Sequence, residues 1–144
     1  MQTKEREETA DRLGMAITRL ARLLRQQAAD DLTPTMRAAV GTIARMGPLT
    51  LGELATVEQV APPTITKVVA KLEDRGLVER EADPADRRIA RVALSDRGHR
   101  WLEADRRRRH AWLAARMDAL GSGERERLVA AIDALEALIG GSER

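Results

Sequence analysis

The 144-residue sequence predicts a mainly α-helical chain that is interrupted once by a small β-hairpin. Three observations carry that expectation. Phe and Tyr are absent and Trp101 and Trp112 are the only aromatic residues, so a core has to be assembled from Leu, Ile, Val, Met and Ala, a set that favours helices. Apolar residues recur at spacings of three and four along most of the chain, the period of an amphipathic helix. Only Leu77–Glu81 and Ile89–Ser95 break that rhythm, as two short extended runs around the charged segment Asp83-Pro84-Ala85-Asp86-Arg87-Arg88.

Each element has its own signal. Leu13, Ile17, Leu20 and Leu24 step by four, three and four, with Arg12, Arg19, Arg22 and Arg25 mostly on the other side, which predicts a first amphipathic helix. After a break at Asp30 to Pro34, the helical spacing returns in Met36, Val40, Ile43 and Ala44, and Gly47-Pro48 ends that second helix. Thr50-Leu51-Gly52-Glu53 has the form of a capping box and opens a short helix through about Val57. Pro62 and Pro63 suit a first helical turn, where their missing amides cost nothing. Ile65, Val68, Val69 and Leu72 then form an apolar stripe, and Gly76 stands where a left-handed residue would stop the helix. Beyond the hairpin, Ser95-Asp96 opens a long helix to about Leu120. Gly121-Ser122-Gly123 breaks it, and Leu128, Ile132, Leu135 and Ile139 mark one last helix.

Composition limits what such a chain can do. At 43% hydrophobic and 33% charged residues, with the charges interspersed, it is a folded helical protein and not a disordered one. A length of 144 residues suits a single domain spanning 1–144. The absence of cysteine removes disulfides, thiolate metal sites, cysteine nucleophiles and thiol redox sensing together. No apolar run approaches the ~18 residues of a membrane span and the first dozen residues are too charged for a signal peptide, so a soluble, cytoplasmic protein is expected, without membrane attachment. His99 and His110 lie eleven residues apart in an arginine-rich helix and form neither a metal pair nor a base with its nucleophile; no catalytic residue, metal site or cofactor is expected.

The net charge of +2 says little about partners, but its distribution says more. Between Asp83 and His110 nine arginines face five acids, a local excess that suits an anionic polymer. Arg106 to Arg109 spread around the whole helix circumference at ~100° per residue, so they read as a mainly solvated run, or as partners of Glu103 and Asp105 or of acids across a dimer.

The order of helix, helix, short helix, tight turn, helix, hairpin, long helix and helix is the winged helix-turn-helix arrangement. If Ile65, Val68, Val69 and Leu72 face the core, the outer surface of their helix presents Pro63, Thr64, Lys67 and Lys71, with Thr66 beside them. Hydroxyl and ammonium groups there suit phosphates and base edges in a major groove, and the helix start is expected to offer unpaired amides to a phosphate. At the hairpin tip, Arg87 and Arg88 suit a narrow minor groove, whose negative potential attracts arginine. Each of these features has an ordinary alternative as a solvated surface; their order and spacing together point to duplex DNA. The rival expectation is a winged-helix module that serves protein interaction or scaffolding without DNA.

The stretch Leu54-Ala55, Val60, Pro62 to Val69, Lys71-Leu72-Glu73, Arg75 to Val78, Asp83-Pro84, Asp86-Arg87-Arg88 and Leu94 to Gly98 resembles the multiple-antibiotic-resistance regulators, the MarR family. The resemblance implies a ligand-responsive DNA-binding transcription regulator, most often a repressor, that acts as a homodimer on a pseudo-palindromic operator. Residues of about 35–97 would form the DNA-binding lobe, and about 8–30 and 98–140 the dimerisation helices. It further implies that Asp86 braces Arg88 for the minor groove, with Arg87 the competing choice. A threonine-arginine pair frequent in the family corresponds to Thr66 and Lys67, so a point charge replaces a bidentate fork. Gln59 stands where a turn glycine is common, and Ala61 where a capping serine is common, which leaves the leading amides of the helix for phosphate or water. A small aromatic or amphipathic anion is the implied effector. Its pocket is not readable from the sequence, and Trp101, Trp112, Met15 and Met36 qualify only by residue type, with core packing the commoner role.

Overall fold

The computed structural model describes residues 2–28 and 31–140. Its elements run α1 (Thr3–Gln26), α2 (Pro34–Met46), α3 (Leu51–Glu58), α4 (Pro62–Asp74), β1 (Val78–Ala82), β2 (Ala90–Leu94), α5 (Asp96–Asp118), α6 (Ser122–Ala130) and α7 (Ile132–Gly140). They fall into two compact units, residues 28–107 and the pair of segments 2–27 and 108–140. Ala29 and Asp30, within the expected break and the expected first dimerisation segment, lie outside the described residues.

The unit of residues 28–107 holds the core. Ile43, Leu54, Ile65, Leu72, Val40, Val69 and Val92 are fully buried, and Leu102 joins them from the start of α5. The stripe expected on α4 is buried at all four positions, Ile65, Val68, Val69 and Leu72. Local chemistry fixes the helix ends. Thr33 caps α2 by accepting the Met36 amide at 3.3 Å. The capping box of α3 is complete, with the Glu53 amide donating to Thr50 Oγ1 at 3.1 Å and the Thr50 amide donating to Glu53 Oε2 at 3.3 Å. Beyond α4, Gly76 has φ +70°, its amide donates to Glu73 O at 2.8 Å and that of Leu77 to Leu72 O at 3.0 Å. This is the Schellman pattern, in which a left-handed residue lets two amides fold back on the last turn.

The same pattern closes α3, with a difference. Gln59 adopts φ 54°, while its amide donates to Thr56 O and that of Val60 to Ala55 O. A side chain here carries the left-handed conformation that glycine adopts without cost.

The antiparallel hairpin pairs Val78 with Leu94 and Ala82 with Ala90. Leu49, just before α3, adds an isolated bridge to Val92, so a third segment pins the hairpin to the helical lobe. Leu77 and Ile89 lie outside the strands, because the Leu77 amide is drawn into the helix cap and that of Ile89 into a turn with Asp86 O at 3.0 Å. Ser95 accepts the Gly98 amide at 3.0 Å and starts α5. Gly98 packs so tightly that a Cβ there would stand 2.0 Å from Leu77 O.

In the other unit, α1, α6 and α7 contain no buried residue. The single last helix read from Leu128 to Ile139 is two, α6 and α7. The break has neither glycine nor proline; at Ala131 the amide is shared between the Arg127 and Leu128 carbonyls, the tightening of a last turn.

Candidate nucleic-acid interface

With its apolar stripe buried, α4 leaves Pro63, Thr64, Thr66, Lys67 and Lys71 exposed, as expected from the period of the helix. The Thr66 hydroxyl donates to Pro62 O at 3.0 Å, so its proton is taken and only its lone pairs and methyl face outward. The expectation that the helix start offers unpaired amides to a phosphate is corrected. Pro62 and Pro63 have no N–H, and the Thr64 amide donates back to Ala61 O at 2.9 Å. Ala61 gives no side-chain cap, and none is needed where two prolines have already removed the donors. The two lysine ammonium groups therefore carry the cationic character of this surface.

The hairpin tip is built around two carboxylates. Asp83, only 7% exposed, accepts the Ala85 amide at 2.8 Å and the Asp86 amide at 3.1 Å on Oδ1. Its Oδ2 accepts Arg91 Nε at 2.5 Å. Asp86 accepts the Arg88 amide at 3.1 Å and Nε at 3.0 Å on Oδ1, and Nη2 at 3.1 Å on Oδ2. That two-point grip fixes the plane of a guanidinium whose side chain is 90% exposed. The carboxylate bracing that the family resemblance implied thus goes to Arg88, while Arg87 is exposed beside it. The Arg88 guanidinium, and then its backbone amide, hold the Asp86 carboxyl below its ordinary value. For Asp83 the Arg91 side chain does the same, followed by the two tip amides.

Reading the sequence missed Asp83, Arg91 and Glu53 as a connected group. Arg91 Nη1 lies 3.3 Å from Glu53 Oε2 and so links the hairpin to the capping box of α3. An i, i+8 pair across a hairpin and a partner 38 residues away leave no local signal. The arginine run is partly as expected, since Arg107 pairs with Glu103 at 3.8 Å on the surface. Asp105 is buried and accepts Arg37 Nη1 at 2.6 Å.

The aromatic and methionine candidates separate by environment. Met36 is core at 2% exposure, whereas Met15 is exposed on α1. Trp112 is half-buried with the Arg116 guanidinium 5.1 Å from its ring. Trp101 packs against the core, donates Nε1 to Asp31 Oδ2 at 2.8 Å and has Arg37 over its ring. It also lines a cleft of about 440 Å³ with Arg75, Arg97, Arg100, Asp74 and Asp31.

An exposed helix that follows a tight turn, with a hairpin presenting a held arginine, defines a winged helix-turn-helix protein of the DNA-binding kind. Comparison with known proteins carries this further. The MarR family model matches residues 32–90. An uncharacterised HTH-type transcriptional regulator of Mycobacterium bovis is 38% identical over 131 residues, which cover 90% of this chain and 92% of that protein. A MarR family protein from Bacillus stearothermophilus has a similar structure, with a TM-score of 0.81 and 25% identity over 100% of this chain and 99% of that one. A variant of MepR from S. aureus, solved bound to an oligodeoxyribonucleotide, shares the fold at a TM-score of 0.69 and 19% identity, over 91% of this chain and 97% of that one. This chain belongs to the MarR family. It is a DNA-binding transcription regulator, and the family is not one of enzymes.

Proposed function

We propose that the protein is a cytoplasmic, ligand-responsive repressor that acts as a homodimer on a pseudo-palindromic operator. Pro63, Thr64, Thr66, Lys67 and Lys71 face the major groove, Arg88 braced by Asp86 enters the adjoining minor groove, and Arg87 lies along the phosphates. The observation that carries this reading is the Arg88 guanidinium, gripped at two points yet 90% exposed at the wing tip. An arginine ordered before it meets DNA loses less rotamer entropy on insertion. Arg88→Ala is expected to weaken binding to a selected operator by about tenfold, measured by fluorescence anisotropy, and Arg87→Ala by less. An Arg88→Ala variant that binds as tightly as the wild type refutes the wing assignment.

The homodimer rests on uncovered apolar surface. Leu13, Met15, Ile17 and Leu20 on α1 and Leu138 and Ile139 on α7 are all more than a third exposed. Burial of such residues is worth roughly 1.5–3 kcal/mol for each large side chain, and a second copy of the same helices supplies the cover. Two recognition helices would then read sites about 34–36 Å apart. Sedimentation that shows a monomer at micromolar concentration, still bound tightly to a half-site, removes this part.

For the effector, a small aromatic or amphipathic anion, the cleft beside Trp101 offers the guanidinium groups of Arg75, Arg97 and Arg100 for charge and the indole for an apolar wall. Benzoate is expected to quench Trp101 fluorescence in a Trp112→Phe background, and Arg97→Gln with Arg100→Gln to abolish the effect. Quenching that survives both substitutions places the effector elsewhere.

A further inference from the structure

We infer that Arg91 is a positioning residue for DNA reading: it joins the root of the wing tip to the start of α3 and so sets the direction in which Arg88 meets the duplex. Arg91 sits on β2 with its side chain 29% exposed, too enclosed to act as a free phosphate ligand. Its Nε holds Asp83 Oδ2 while its Nη1 reaches the Glu53 carboxylate. Each of those two carboxylates has a second task. Asp83 Oδ1 accepts the Ala85 and Asp86 amides and thereby shapes the tip from which Asp86 grips Arg88. Glu53 accepts the Thr50 amide and fixes the first turn of α3.

The result is an unbroken series of hydrogen bonds from the α3 cap through Glu53, Arg91, Asp83 and Asp86 to Arg88. Strand pairing fixes the hairpin's register and the Leu49–Val92 bridge anchors one edge of β2 to the helical lobe, but the two-stranded ribbon beyond that anchor, toward the tip, still has freedom to twist. A planar guanidinium with separate edges on two carboxylates restrains that twist against the helical lobe. A lysine in its place offers a point charge that cannot hold both carboxylates in fixed geometry.

This inference rests on the assignment of Arg88 to the minor groove, and the test separates the two. Wild type, Arg88→Ala, Arg91→Ala and the double variant are titrated against a duplex selected from random sequence by the wild-type protein, over a range of KCl concentrations, with hydroxyl-radical footprints of each complex. Arg91→Ala is expected to weaken binding by about five- to tenfold with no change in the slope of log affinity against log salt, and to erase protection of the minor groove at the wing sites. In the Arg88→Ala background it should cost less than about twofold, because a residue that acts through Arg88 has nothing left to position. If Arg88→Ala alone is silent, the wing assignment falls and this inference with it. If Arg88→Ala weakens binding but Arg91→Ala adds its full effect to it, or lowers the salt slope by about one, Arg91 contacts DNA by itself and only the positioning role is lost. Should Arg91→Ala fail to fold, Arg91→Lys and Glu53→Gln decide the question in the same cycle. Both are expected to weaken binding in the wild-type background and to be nearly silent in Arg88→Ala, and additivity there overturns the inference equally.

Discussion

Replacing Gly98 by alanine puts a number on the tightest approach made to any described glycine in the unit of residues 28–107. The new methyl would stand 2.0 Å from the Leu77 carbonyl oxygen and 3.0 Å from its carbon, both backbone atoms that cannot rotate away. A carbon and a carbonyl oxygen approach to about 3.3 Å at closest, so something must move by about 1.3 Å. That same carbonyl accepts the Ser95 amide at 3.0 Å, and Ser95 in turn caps α5 through the Gly98 amide. Overpacking costs roughly 1–3 kcal/mol and a loosened hydrogen bond about 0.5–1.5 kcal/mol, while alanine in a helix recovers about 1 kcal/mol, leaving a net loss of roughly 0.5–3.5 kcal/mol. Thermal unfolding followed by circular dichroism, at one fixed protein concentration, should show Tm lower by about 3–10 °C. Gly41→Ala is the companion measurement. Gly41 is also inside a helix, but the nearest atom to its added methyl is the mobile end of Arg45 at 3.7 Å. It should stabilise by up to about 1 kcal/mol, as helix propensity alone predicts. If Gly98→Ala melts at or above the wild type, the close approach of α5 to Leu77 does not exist and the reasoning fails.

Gln59→Gly should stabilise the protein by roughly 0.5–1 kcal/mol in urea unfolding, since glycine removes a left-handed penalty of about 1–2 kcal/mol at the cost of extra freedom in the unfolded chain; a loss of stability would mean that the Gln59 side chain makes contacts that outweigh its strain. Asp83 and Asp86 both titrate below their ordinary value, so their contribution to wing order is fully present above about pH 4 and is lost as pH falls through the lowered values. Amide exchange at Ala85, Asp86 and Arg88 should therefore be unchanged from pH 7 to 5, after correction for the intrinsic rate, and lose protection only on further acidification. Lys67→Gln should flatten the salt dependence of operator binding by about one, whereas Lys67→Arg should keep that slope and sharpen preference for guanine at the contacted base pair.

Most of the fold was legible because its rules are local. The α4 stripe, the Thr50–Glu53 capping box, the Gly76 stop and the two strands each follow from a few neighbouring residues, and the structure moves their ends by a residue or so. The exposure of Pro63, Thr64, Thr66, Lys67 and Lys71 follows from the same period once the buried side is known. What was not legible depends on side chains that meet across the fold. The Leu49–Val92 bridge, the Arg37–Asp105 pair and the Glu53–Arg91–Asp83 group join residues with no shared periodicity. The break at Ala131 escaped because it is made by a shared amide and not by a residue that announces itself. The start of α4 is hard to read for a different reason. By itself Ala61 reads as a missing cap, but Pro62 and Pro63 just after it remove the donors that a cap would serve.

Those two prolines also bear on how the protein travels. A helix that presents a row of backbone amides seats a phosphate at one fixed point, and moving along the duplex means breaking that seat at each step. Here the first turn has no such seat, and on the proposed reading the attraction of α4 to the backbone would fall to the flexible ammonium ends of Lys67 and Lys71, which can pass from one phosphate to the next. On the reading proposed above, the start of α4 would be smooth along the groove, and arrest at the right site would be left to base edges and to Arg88 at the wing tip.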